Sequence, residues 1–178
     1  MNQITTDRLL LRDWKMSDKD NLYEYAKSEL VGPRAGWAPH KCEEDSERAI
    51  RKFIKVQDTY AVELISEHKV IGSVGLYNKK PFPVIFGDRD RSIGYVLNPN
   101  YWGQGYITEA VRAVLDYGFN NLGISRVWCE IYLDNENSKR VAEKFGFQYR
   151  YSRKESINII DHSEIITLVY CLEDKANV

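Results

Sequence analysis

At 178 residues the chain fits one domain of ordinary size, 1–178, and a composition of 43% apolar and 29% charged residues can bury a core. Twenty-five Lys and Arg against 26 Asp and Glu leave a net charge of −1, which argues against a broad basic face for nucleic acid. No run of about 18 apolar residues occurs, so a membrane-spanning helix is excluded, and charges at Asp7, Arg8, Arg12 and Asp13 argue against a secretory signal.

The chain opens with an expected strand over Arg8 to Trp14, after which Ser17-Asp18-Lys19-Asp20 reads as a capping-box start for a helix to about Leu30. A Gly/Pro-punctuated loop, Val31 to His40, leads to a second helix over about Glu43 to Lys55, with Ala49, Ile50, Phe53 and Ile54 at helical spacing. Strands over Tyr60 to Ile65 and Val70 to Tyr77 form a hairpin through Ser66 to Lys69. Asn78 to Arg91 reads as a loop, Ser92 to Leu97 as a short strand, and Ile107 to about Asn120 as an amphipathic helix. Alternation from Val127 to Leu133 predicts another strand, with Trp128 and Tyr132 packed under a helix. A short helix from about Asn137 to Phe145 stops at Gly146, a natural left-handed cap, and strands over Phe147 to Ile157 and Glu164 to Leu172 close the chain. Mixed hairpins and crossover helices predict an α/β (α+β) domain with one mixed twisted sheet of six or seven strands.

Three scattered cysteines, Cys42, Cys129 and Cys171, form neither a disulfide framework nor a zinc pattern, and point to a reducing cytoplasm. His40, His68 and His162 stand singly, so no metal site is expected. Chemistry concentrates in Trp102-Gly103-Gln104-Gly105-Tyr106-Ile107-Thr108, between a strand and a helix. Backbone N–H groups there, with about half a positive charge from the helix dipole, suit a phosphate or diphosphate. A tight turn that binds nothing explains the two glycines equally well. No Lys followed by Ser or Thr completes a Walker-type loop, and Thr108 stands where a dinucleotide fingerprint needs a third glycine.

Tyr95-Val96-Leu97, Pro99, Tyr101 to Tyr106, Thr108-Glu109-Ala110, then Leu133, Asn135, Ser138 and Glu143 to Phe147, resemble the GNAT acetyltransferase superfamily. They look most like its ribosomal-protein-alanine N-acetyltransferase (RimJ/RimL-like) branch, and Thr6 to Arg12 is similar to that branch's first strand. The resemblance implies a GNAT fold with helices on both sheet faces and a splay after Leu97, and acetyl-CoA as donor. Val96 and Leu97 would contact the pantetheine and acetyl carbonyl, Trp102 to Ile107 with Thr108 would hold the diphosphate, and Asn135 and Ser138 would lie near the thioester sulfur. Asn100 stands where the superfamily commonly has Gln or Arg.

The implied reaction is acetyl transfer to a primary amine by direct attack in a ternary complex. At pH 7 an α-amine of pKa ~7.8 costs about 1 kcal/mol to deprotonate and a lysine about 4.6, so a weak base favours protein N-termini. Ala142 occupies the place of the superfamily's usual tyrosine acid. By resemblance Ser138 takes that role, although a serine there also reads as a helix cap. Glu155 is the candidate base, against a plain solvated strand charge; Glu63, Glu130, Glu164 and His162 rank below it. Trp37, Tyr77, Phe82 and Phe86 either line the acceptor pocket or cover the core, and His40 either touches acceptor or is structural. The alternatives are a small-amine acetyltransferase (polyamine, amino-acid-like or antibiotic), a non-catalytic acyl-CoA-binding module, and a dinucleotide-binding oxidoreductase. Expected partners are acetyl-CoA and an amine acceptor, with a homodimer left open, and neither nucleic acid nor membrane.

Overall fold

The computed structural model describes residues 1–156 and 164–174. Its strands are β1 (Ile4–Thr5), β2 (Leu9–Arg12), β3 (Thr59–Leu64), β4 (Lys69–Tyr77), β5 (Asp90–Leu97), β6 (Arg126–Tyr132), β7 (Gln148–Ser156) and β8 (Glu164–Glu173). The helices are α1 (Lys19–Ala26), α2 (Glu43–Val56), α3 (Tyr106–Asn121) and α4 (Glu136–Lys144). One mixed sheet has the order β1-β2-β3-β4-β5-β6-β8-β7, eight strands where six or seven were expected. The difference includes β1, two residues paired antiparallel with Leu10 and Leu11, too short to show any period.

The chain divides into two compact units, Met1–Gly75 with Tyr95–Val114, and Leu76–Gly94 with Leu115–Val178. In the first, Trp14, Leu22, Tyr25, Ala26, Val31, Ile50, Ala61 and Val70 form a buried cluster, with Trp37, Ala49, Phe53 and Val96 packed on it. Each such large apolar side chain contributes about 1.5–3 kcal/mol by leaving water. Helix α1 stops at Ala26 rather than near Leu30. Ser28 N donates to Tyr25 O and Val31 N to Ser28 O, so the chain turns, and Leu30 is exposed. The expected serine cap is absent too: a single 3-10 turn, Met16–Asp18, precedes α1, and the Asp18 carboxylate accepts from Lys15 N and Arg12 instead.

In the second unit, β5 pairs parallel with β6 from Asp90↔Arg126 to Ile93↔Cys129, and β6, β8 and β7 run antiparallel. β5 begins at Asp90, inside the expected loop, because the buried Asp90 carboxylate accepts from Gly87 N, Arg126 Nε and Trp128 Nε1. Trp128 packs with Val169 and Cys171, and it is covered by Val84, Phe86 and Tyr151 rather than by a helix. Val84 and Phe86 of a loop, with Tyr151 of β7, provide the apolar surface that the sequence pattern attributed to a helix. Cys129 and Cys171 are buried and small, and burial pushes the Cys171 thiol up to about 11.

Candidate active site

In the first unit the site starts at the end of β5. Asn98, which is buried, donates its backbone N–H to Ile71 O (2.8 Å) and ends the strand. Its side-chain oxygen accepts from Asn100 N at 3.1 Å and caps the 3-10 turn Pro99–Tyr101. Its amide Nδ2 donates to Glu24 (2.9 Å), whose carboxyl is held below its ordinary range chiefly by Lys69, 2.7 Å away. Trp102 then folds back, and its indole Nε1 donates to Leu97 O at 2.9 Å. The strand end and the first loop residue are thereby locked together.

Gly103 and Gly105 have φ of 76° and 81°, a left-handed conformation that disfavours any side chain. Space around Gly103 is open to 4 Å. Helix α3 follows directly, with Glu109 N bonded to Gly105 O at 3.0 Å as an opening intrahelical bond. The N–H groups of Tyr106, Ile107 and Thr108 precede that bond and have no carbonyl one turn back within the helix. Sixteen helical residues align their dipoles behind them. This cradle fits a diphosphate, and the structure brings together Leu97, Trp102, Gly103, Gln104, Gly105, Tyr106, Ile107 and Thr108, with Val96 one residue before Leu97 on β5.

A further group of residues completes the loop. Arg8 donates from Nε to Glu109 Oε2 (2.7 Å) and from Nη1 to Gln104 O (3.0 Å), and its guanidinium lies 4.3 Å from the Tyr106 ring centre. Thr6 Oγ1 and Arg8 N donate to Glu109 Oε1 at 2.6 and 3.0 Å. Burial raises the Glu109 carboxyl, but these bonds outweigh it and leave it below the ordinary range. Sequence reasoning quoted Glu109 without a role and read Arg8 as a strand residue. The legible signal was an acid in the first turn of a helix proposed to bind an anion, which demands a nearby cation.

The remaining candidates lie in the second unit. Asn135, buried, is the N-cap of α4 and accepts from Ser138 N at 3.1 Å. Ser138 is thus the third residue of the helix, and Asn135 performs the capping that a serine cap would have supplied. Ala142 is buried on α4.

Glu155 is half-buried on β7 and accepts from Thr167 Oγ1 and from Arg153 Nη2, 3.3 Å away. Arg153 also pairs with Glu130 at 2.5 Å. Because Arg153 sits opposite Thr167 in the register, Glu155 shares its sheet face with that polar group, not the other face. Burial raises the Tyr132 phenol, and Glu155 and Glu130 push it further.

The lesser candidates have other partners. Glu63 pairs with Arg12 at 2.5 Å, and exposed Glu164 lies 3.7 Å from Lys154. His162 lies outside the described residues. His40 Nδ1 meets Ser46 Oγ at 2.8 Å, and its ring lies 5.3 Å from Trp37. Phe82 is exposed, and its carbonyl accepts from Tyr151. Among the described residues no cluster of three His, Cys, Asp or Glu could hold a metal, and no helix is long and apolar enough to cross a membrane.

A family model for the acetyltransferase (GNAT) domain matches residues 8–148. The chain is 32% identical over 148 residues to the uncharacterized N-acetyltransferase YnaD of Bacillus subtilis, covering 82% of each. A solved GNAT-family acetyltransferase from Bacillus anthracis superposes with a TM-score of 0.84 at 27% identity, over 97% of this chain and 98% of that one. The ribosomal-protein-S5-alanine acetyltransferase of Vibrio fischeri shares the fold, with a TM-score of 0.76 at 21% identity over 98% of both chains.

Proposed function

This chain belongs to the GNAT acetyltransferase family and is an N-acetyltransferase that uses acetyl-CoA; from that premise we propose that its acceptor is the α-amine of a protein N-terminus, in the manner of the RimJ/RimL-like branch. The reaction takes place in the cytoplasm, on one catalytic domain formed by the whole chain. The neutral amine attacks the thioester carbon directly; the C–N bond forms, the C–S bond breaks, and CoA leaves as thiolate. The Val96–Leu97 backbone, with its N–H groups near the carbonyl, polarises it. Asn135 and Ser138 lie along the donor's pantetheine, and the Ser138 hydroxyl gives its proton to the departing sulfur. Glu155 receives the proton that the attacking nitrogen sheds.

The observation that carries the acceptor class is the state of Glu155, whose oxygens are occupied by Thr167 and Arg153. An amine proton must compete with both partners for those oxygens, and a carboxylate so engaged does little to deprotonate a strongly basic amine. Such a base suits an amine that costs about 1 kcal/mol to deprotonate at pH 7 rather than about 4.6. The similarity of Thr6 to Arg12 and of Asn135 and Ser138 to the RimJ/RimL-like pattern supports the same choice.

The test is acetylation of peptides carrying either a free α-amine or only a lysine amine, alongside polyamines, read by mass spectrometry. Transfer to the α-amine is expected to dominate at pH 7; preference for the lysine or a polyamine would replace the acceptor assigned here. Ser138→Ala and Glu155→Gln are each expected to lower kcat by about 10²-fold. An unchanged kcat for Glu155→Gln would remove Glu155 from the mechanism.

A further inference from the structure

We propose that Arg8 and Glu109 form a positioning pair that sets the diphosphate loop before the donor arrives, a role that rests on the acetyl-CoA reading above. Gln104 and Gly105 share a peptide plane, in which the carbonyl and the N–H point in opposite directions. Arg8 Nη1 holds the Gln104 carbonyl at 3.0 Å. The Gly105 N–H is thereby turned away from Arg8, to the side opposite the guanidinium. Arg8 is thus not a ligand of the diphosphate; it fixes the orientation of a donor that is.

The second half of the device is electrostatic. Glu109 sits in the first turn of α3, where a carboxylate is favoured by the helix dipole but repels an incoming anion. Arg8 Nε and Nη2 each lie 2.7 Å from Glu109 Oε2, so the negative charge is paired within the protein. Thr6 Oγ1 and the Arg8 amide engage the other oxygen and fix the carboxylate's rotation. The Tyr106 ring under the guanidinium, 4.3 Å away, restrains the fork in its plane. One planar cation therefore spans loop and helix together, a task for which a lysine has too few fixed donors.

The experiment compares two acetyl donors, acetyl-CoA and S-acetylpantetheine, which lacks the diphosphate. With Arg8→Gln, kcat/KM for acetyl-CoA is expected to fall about tenfold, through KM, while that for S-acetylpantetheine stays within about twofold. A purely structural role would depress both donors alike. Should Arg8→Gln fail to fold, Arg8→Lys decides: it keeps the charge but loses the fork, and a fall of about threefold confined to acetyl-CoA is expected. Parallel loss on both donors, or wild-type kinetics for Arg8→Lys, overturns the inference and leaves the acetyltransferase assignment standing. Failure of the wild-type protein to bind CoA in calorimetry would instead remove the reading beneath it.

Discussion

The indole of Trp102 closes on the main-chain carbonyl of Leu97 at 2.9 Å, so the residue that opens the glycine loop is bonded to the last residue of β5. Trp102→Phe keeps an aromatic ring, a smaller one, and removes that bond. The loss is worth about 1 kcal/mol, which predicts a rise of about fivefold in KM for acetyl-CoA with kcat little changed. Steady-state kinetics at saturating amine checks it.

Gly103→Ala and Gly105→Ala test backbone shape rather than space. Open room surrounds Gly103, and a Cβ on Gly105 would meet only Arg8 at an ordinary 3.6 Å. The penalty comes from positive φ alone, about 1–2 kcal/mol per position, and the loop relieves it by abandoning its geometry. Calorimetry should show CoA affinity reduced by roughly tenfold while the melting temperature moves little.

Asp18 is expected to matter for stability and not for chemistry. Its two oxygens take Arg12 Nη1 and Nη2 at 2.8 and 2.9 Å, with both side chains buried. The bond to Asp18 chiefly raises the Arg12 guanidinium pKa, and a guanidinium stays charged in a protein even without that bond, so it cannot escape its partner's loss by deprotonating. Asp18→Ala removes two charge-assisted hydrogen bonds and leaves Glu63 as the remaining ionic partner, at a cost of about 3 kcal/mol. Thermal unfolding should fall by roughly 10 °C, with KM for acetyl-CoA preserved in the folded fraction.

His40 supplies a pH dependence. Burial lowers its pKa, Asp45 opposes that, and Arg48 reinforces it. The unfolded chain therefore takes up the proton first as pH falls below about 6.5, which favours unfolding. The stability that His40 contributes is complete above that pH and is lost as pH falls through the lower folded value. His40→Gln should flatten the fall of the melting temperature below about pH 6.5. Parallel profiles for the two proteins would contradict the assignment.

Most of the elements were legible because their patterns are local. Ala49, Ile50 and Phe53 repeat at helical spacing, and Val127, Cys129 and Ile131 alternate. The glycine loop was legible for the same reason, since strand end, glycines and helix start are consecutive. What escaped was carried by partners distant in sequence. Asp18 reads as part of a helix start until Arg12, itself paired with Glu63, is seen bonded to it. Trp128 predicts a covering element but cannot say that a loop and a strand residue, Tyr151, provide it. The roles of Arg8 and Glu109 depend on a side-chain fork that no periodicity records. Ser138 was ambiguous by residue type, and only the position of Asn135 one turn earlier shows which residue caps α4.

The Arg8–Glu109 fork joins groups 101 positions apart. Closing so long a loop costs about 4 kcal/mol of chain entropy, more than one exposed ion pair returns. The fork does not close that loop by itself, and is expected to form with or after the docking of β2 on β3, which carries Arg8 into place. Assembly thus has an order: helix α3 can wind from its own residues, whereas donor affinity waits for the amino-terminal strands to find their register. In refolding, helical ellipticity should recover ahead of CoA binding, and the enzyme becomes competent only once its first strands are home.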